Sequence, residues 1–127
     1  MTSETKRAKI LIVDDEPDIR ELLNVMLRKR GYDTAFAADA ISAVSVARKE
    51  TPDLILLDLG LPGGEGFLVL ERLRAIASLG WVPVIVVSAK GESSAQTALD
   101  AGAKAYFSKP IDLDQLLAAI ERELSAE

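Results

Sequence analysis

The sequence predicts an α/β fold, a parallel sheet with helices on both faces. Three observations point there. Short apolar runs recur at residues 9–13, 32–38, 54–57, 82–87 and 105–108. Each is followed by a stretch whose apolar residues return at helical spacing. Several runs end abruptly in a charged residue: Asp14, Asp58 and Lys109. Strand and helix in alternation call for parallel strands joined by right-handed crossovers. A charge inside a buried strand is costly, but at the strand's carboxyl end it can sit at the rim of the sheet. That rim is where an open α/β sheet keeps its ligand crevice.

Residues 1–8 are polar and mixed in charge, and read as a flexible tail. The first strand, 9–13, runs into Asp14-Asp15-Glu16. Pro17 suits the first turn of a helix, in which Ile19, Leu22, Leu23, Met26 and Leu27 recur before Gly31 closes it. The second strand is 32–38. Asp39 is placed to cap a helix carrying Ala40, Ala43, Val44 and Ala47. Pro52 breaks into the third strand, Leu54 to Leu57, which is apolar throughout and so reads as buried on both faces.

Asp58 ends that strand, and Gly60, Pro62, Gly63 and Gly64 follow in a loop whose backbone can approach whatever Asp58 holds. Phe67, Leu70 and Leu73 mark a helix ending before Gly80. The fourth strand, 82–87, runs into Ser88-Ala89-Lys90, with Pro83 near its start where a missing donor is tolerable. Ser93 or Ser94 can cap a short helix that Gly102 terminates. The fifth strand ends at Lys109-Pro110. Asp112 with Gln115 is a capping-box-like start for a last helix with Leu113, Leu116, Leu117, Ile120 and Leu124 as its buried stripe.

Composition narrows the chemistry. The 127 residues suit one domain, with 49% apolar residues to build a core. There is no cysteine and no histidine, so thiol chemistry, the usual general base and the commonest transition-metal ligand are absent. A net charge of −5 argues against nonspecific nucleic-acid binding. Neither an apolar signal region nor a run long enough for a membrane span is present, so a cytoplasmic protein is expected.

Carboxylate, hydroxyl and lysine remain, and they collect at the strand ends. Asp14 and Asp15, Asp58, Ser88 and Lys109 come from four strands and should meet on one rim. Carboxylates roughly 4 Å apart repel by about 1 to 4 kcal/mol per pair, depending on screening. A cation relieves this, and oxygen-only ligands on an open rim suit Mg²⁺ (or Mn²⁺). A phosphoryl group is the natural guest for a divalent ion, a lysine and a hydroxyl. Its transfer needs positioning and charge neutralisation more than a strong base. A central carboxylate can itself be the nucleophile and form an aspartyl phosphate.

As a set, these motifs resemble the response-regulator receiver domain, the phosphoacceptor module of two-component signalling, over about residues 9 to 125. The resemblance implies a flavodoxin-like, doubly wound five-stranded sheet in the order 2-1-3-4-5 with five helices. It implies that Asp58 is phosphorylated by a sensor histidine kinase or a histidine phosphotransfer protein. Asp15, Asp58 and the Gly60 carbonyl would then bind the metal directly, and Asp14 mostly through water. Lys109 would pair with phosphoryl oxygens, and Ser88 would turn inward to reach them. Tyr106 would follow as the switch aromatic, changing the face made by helix four, strand five and helix five. Gly66 is the family's loop-closing glycine, and Pro110 is a cis-proline candidate.

Expected partners are the phosphodonor and a downstream effector or a covalently attached output domain, of which the 127 residues hold none. A phosphorylation-dependent homodimer stays open, and no contact with nucleic acid or membrane is expected. Gly60 and Leu61 stand where many relatives carry a larger residue and a methionine, leaving the site less shielded from water. Lys90 is near enough to tune hydrolysis. On this reading the chain is a switch rather than an enzyme, with only self-catalysed phosphorylation and dephosphorylation. The competing readings are a Mg²⁺-dependent phosphohydrolase working through an aspartyl phosphate and an unphosphorylated interaction module. Against the first, no acidic residue stands two places after Asp58, and no cap insertion would hold a substrate.

Overall fold

A computed structural model describes residues 7–61, 66–89 and 92–125, without the side chains of residues 92 and 93. Five strands and five helices alternate along the chain: β1 (Lys9–Val13), α1 (Pro17–Lys29), β2 (Asp33–Ala37), α2 (Ala40–Glu50), β3 (Leu54–Leu57), α3 (Gly66–Ala75), β4 (Val84–Ser88), α4 (Glu92–Asp100), β5 (Ala105–Ser108) and α5 (Leu113–Ser125). The sheet order is β2-β1-β3-β4-β5, and every neighbouring pair is parallel. This is the expected flavodoxin-like order. The strand order reverses beside β1, which opens a crevice at the carboxyl ends of β1 and β3.

The alternation of side chains along each strand divides the core into two layers. Ile10, Ile12, Leu54, Leu56, Ile85 and Val87 face one way and pack with Leu23 and Leu27 of α1 and Leu116 and Ile120 of α5. Leu11, Val13, Ile55, Leu57, Val84 and Val86 face the other way, against the alanines of α2, Val69, Leu70 and Leu73 of α3, and Ala98 of α4. Residues of β1, β3 and β4 are thus buried from both sides, which is why these strands read as unbroken apolar runs.

Helix ends follow local chemistry. The Asp39 carboxylate accepts the Ser42 N–H at 2.8 Å and caps α2. Asp112 accepts the Gln115 N–H at 3.1 Å before α5. Gly31 and Gly102 take positive φ, +90° and +111°, after α1 and α4. Four expectations shift. Tyr32 is not in β2, because its N–H closes the end of α1 on the Leu27 carbonyl. β4 starts at Val84 rather than residue 82, since Pro83 has no N–H for the ladder, and it runs on to Ser88, paired with Ser108. Ser94 lies inside α4, which begins at Glu92, so it does not cap that helix. Ala8, counted with the tail, already accepts the Asp33 N–H at 2.9 Å. Residues 1–6, the loop residues Pro62, Gly63 and Gly64, Lys90, and the Ser93 side chain lie outside the described residues.

Candidate functional site

Main-chain bonds beyond the strand ends set the site. The Asp14 N–H donates to the Ala37 carbonyl at 3.1 Å, and the Asp58 N–H to the Val13 carbonyl at 2.9 Å. The Lys109 N–H donates to the Ser88 carbonyl at 3.0 Å. Each site residue is therefore the next rung of a ladder whose buried strands cannot slip register without exposing an apolar face.

Side chains then converge. Asp14, Asp15 and Asp58 each present a carboxylate oxygen within 4.8 Å of the others. Asp14 and Asp58 are buried, Asp15 is exposed, and Ser88 is wholly buried at the end of β4. The Lys109 ammonium stands 2.9 Å from Asp14 Oδ2, 3.0 Å from Glu16 Oε1 and 3.3 Å from Asp58 Oδ2. Asp58 Oδ1 accepts the Gly60 N–H at 3.0 Å, which brings Gly60 beside the carboxylate. The Tyr106 and Ser88 side chains are hydrogen-bonded to each other. The Lys109–Pro110 peptide bond is cis.

The electrostatics are those of a crowded acidic bowl. Burial pushes the Asp14 carboxyl above the usual range and the Asp58 charge adds to this, while the Glu16 N–H and Lys109 work against it. Burial opposes the charged form of Lys109, but bonds to Asp14 and Glu16 and the charges of Asp14 and Asp58 outweigh it and hold its pKa above normal. Lys109 thus stays an ammonium across the ordinary pH range. Burial raises the Tyr106 hydroxyl's pKa, against its bond to Ser88.

All the residues expected at the rim are there, and one was missed. In the sequence Glu16 only continues the acidic run after Asp15; in the fold its carboxylate holds Lys109. Arg20, one helical turn later, donates to the Asp14 carbonyl at 2.8 Å and steadies the same corner. The three clustered carboxylates fit a divalent cation: all donors are oxygen, one carboxylate faces solvent, and among the described residues Lys109 is the one cation ion-paired to them.

The response regulator receiver domain model matches residues 10–121. The chain belongs to the response-regulator receiver family. Its acidic cluster Asp14, Asp15 and Asp58 fits the phosphoacceptor site of these receivers, which are phosphorylated on aspartate. The receiver is 41% identical to sporulation initiation phosphotransferase F of Bacillus subtilis, over 91% of this chain and 93% of that protein. It is 38% identical to the DNA-binding response regulator MtrA of Mycolicibacterium smegmatis, over 95% of this chain but 52% of that protein. It therefore spans about half the length of the DNA-binding relative.

Among solved structures, the receiver domain of a sensor histidine kinase from Pseudomonas aeruginosa, which has a magnesium ion coordinated in its active-site cleft, superposes with a TM-score of 0.87 at 30% identity, over 95% of this receiver and all of that chain. A chemotaxis-regulator-like receiver from Methanospirillum hungatei gives 0.86 at 31% identity, over 94% of each chain. No helix among the described residues is long and apolar enough to cross a membrane.

Proposed function

We propose that Asp58 is the phosphoacceptor of a Mg²⁺-dependent phosphorelay switch. The observation that carries this is the convergence on Asp58: a lysine ammonium at 3.3 Å and two further carboxylates within 4.8 Å, delivered from the ends of β1, β3 and β5. An Asp58 carboxylate oxygen attacks the phosphorus of a phosphohistidine on a kinase or phosphotransfer protein. The bond from that oxygen to phosphorus forms as the donor's phosphorus–nitrogen bond breaks. Lys109 balances charge on the phosphoryl oxygens. Asp15, Asp58 and the Gly60 carbonyl would hold Mg²⁺ directly, with Asp14 acting through water. The ion supplies neutralisation of charge on the transferred group.

The proposed output runs through Ser88. Its hydroxyl leaves Tyr106 and turns to the phosphoryl group, and Tyr106 follows inward. The face of α4, β5 and α5 then changes for an effector or an attached output domain. Water later hydrolyses the acyl phosphate without a separate enzyme. The charge of −5 and the phosphoacceptor role agree with a cytoplasmic signalling protein that contacts neither nucleic acid nor lipid through this domain.

Incubation with acetyl phosphate and Mg²⁺ tests the reading by intact mass. One adduct should form, be lost in base and hydroxylamine, and be absent with a chelator or in Asp58→Asn. Steady phosphate release without an adduct would point to a phosphohydrolase. An adduct retained by Asp58→Asn would move the acceptor elsewhere.

A further inference from the structure

Lys109 has three N–H donors, and each meets a carboxylate: Asp14, Glu16 and Asp58. Among the described residues the Glu16 side chain has no other bond. It stands at the N-cap of α1, but its side chain makes no cap bond. The start of that helix is served instead by Asp14 Oδ1, which accepts the Glu16 N–H at 2.9 Å. A phosphoryl group on Asp58 brings new oxygens to the lip of the bowl. One of them can take the donor that Asp58 Oδ2 holds at 3.3 Å, since both sit on the same side chain, but a second contact requires Lys109 to release Asp14 or Glu16. Releasing Asp14 would strand a carboxylate that is 3% exposed. The Glu16 side chain is 55% exposed, so water readily takes over its carboxylate.

We propose that Glu16 is a positioning residue for phosphoryl binding: it holds the Lys109 ammonium by direct contact in the unphosphorylated chain and competes with phosphoryl oxygens for it. This rests on Asp58 being the phosphoacceptor. Glu16 thereby sets how tightly the site takes a phosphoryl group. Its mode of action is contact, not charge alone, and that distinction can be measured.

The test titrates the whole chain with beryllofluoride, a phosphoryl mimic, in excess Mg²⁺, followed by ¹⁹F NMR. Glu16→Gln removes the charge and keeps the shape. Glu16→Asp keeps the charge but draws the carboxylate back by one methylene, away from Lys109. Both variants should bind the mimic about two- to fivefold more tightly, the fold-change that losing an exposed ion pair converts to. Both should lose no more stability than that one exposed ion pair is worth, up to about 1 kcal/mol, so the fold stays intact. Unchanged or weaker binding in Glu16→Gln overturns the proposal. So does wild-type affinity in Glu16→Asp beside tighter binding in Glu16→Gln, because the effect would then be repulsion at a distance. A wild type that binds no mimic overturns the phosphoacceptor reading itself, and this proposal with it.

Discussion

Gly66 lies so close to Asp58 that no side chain fits between them. A Cβ at Gly66 would stand 2.6 Å from the Asp58 carbonyl oxygen and would run into the Leu59 Cα. The Gly66 N–H also donates to the Leu59 carbonyl at 3.0 Å. The first residue of α3 is thus fastened to the backbone that carries the acceptor. Gly66→Ala must push that backbone away, and both atoms in the path are main chain. It should destabilise the fold by about 1 to 3 kcal/mol, as overpacking does. Urea unfolding checks the stability, and the acetyl phosphate reaction should slow as well, because Asp58 moves with its backbone.

Gly60 behaves differently, although it is nearer the chemistry. Among the described residues a Cβ there meets only Asp58 Oδ1, at an ordinary 3.7 Å, and the φ is not positive. Gly60→Ala should change stability by less than about 0.5 kcal/mol. A longer side chain at 60 starts beside the carboxylate and covers it. Gly60→Met should therefore lengthen the aspartyl-phosphate half-life by keeping water out. A half-life equal to the wild type's would show that water reaches the site by another path.

Thr51 is the one described non-glycine residue with positive φ, at 45° with ψ 62°. A β-branched side chain is poorly suited to this left-handed conformation. The position ends α2, and its N–H bonds the Ala47 carbonyl at 3.0 Å whatever the side chain. The Thr51 hydroxyl makes only an exposed bond to the neighbouring Glu50 carbonyl. Thr51→Asn should raise stability by about 0.5 to 1 kcal/mol, a part of the usual strain of such a residue. A lower melting temperature would mean that the strain is already relieved by the turn.

The central strands and the rim were legible for one reason: a strand buried on both faces must be apolar until it leaves the sheet, so the first charge marks its end. Asp58 after Leu54 to Leu57 is the clearest case. The edge strand β2 was harder, because Thr34 and Phe36 are only partly covered and its boundaries carry no such signal. Glu16 was missed because its role depends on how far two long side chains reach across elements 93 positions apart in sequence. The need for glycine at 66 came from the family resemblance; its physical reason, a contact with the backbone at Asp58 and Leu59, exists only once the chain is folded.

Asp39 gives a pH-dependent prediction with a definite sign. Bonds from the Ser42 N–H and hydroxyl hold its carboxyl below the usual value of 3.8. A group with a lowered folded pKa adds stability above its unfolded pKa and loses it as pH falls through the folded one. Asp39→Ala should melt lower than the wild type at neutral pH. The gap should narrow in acid below 3.8, where Asp39 takes up its proton. Melting curves of both proteins across that range check it. A gap that stays constant into strong acid would assign the effect to something other than the charged cap.

Asp15 separates the metal's contribution from the fold's. It is exposed, and none of its hydrogen bonds or ion pairs appears among those that hold Asp14 and Asp58, yet its carboxylate lies within 4.8 Å of both. Without a divalent ion it adds repulsion to a bowl that, among the described residues, Lys109 balances by direct ion pairs. Asp15→Asn should then melt at or slightly above the wild type in a chelator, by up to about 1 kcal/mol for a screened charge pair. Added Mg²⁺ should reverse the order. An ion that binds only the folded chain stabilises it by about 2.7 kcal/mol at a hundredfold excess over its dissociation constant. The wild type should gain this and Asp15→Asn should gain little of it. Thermal melts with MgCl₂ and with EDTA give all four values. Equal Mg²⁺ gains in the two proteins would remove Asp15 from the metal site and leave the ion, if it binds, to Asp14 and Asp58.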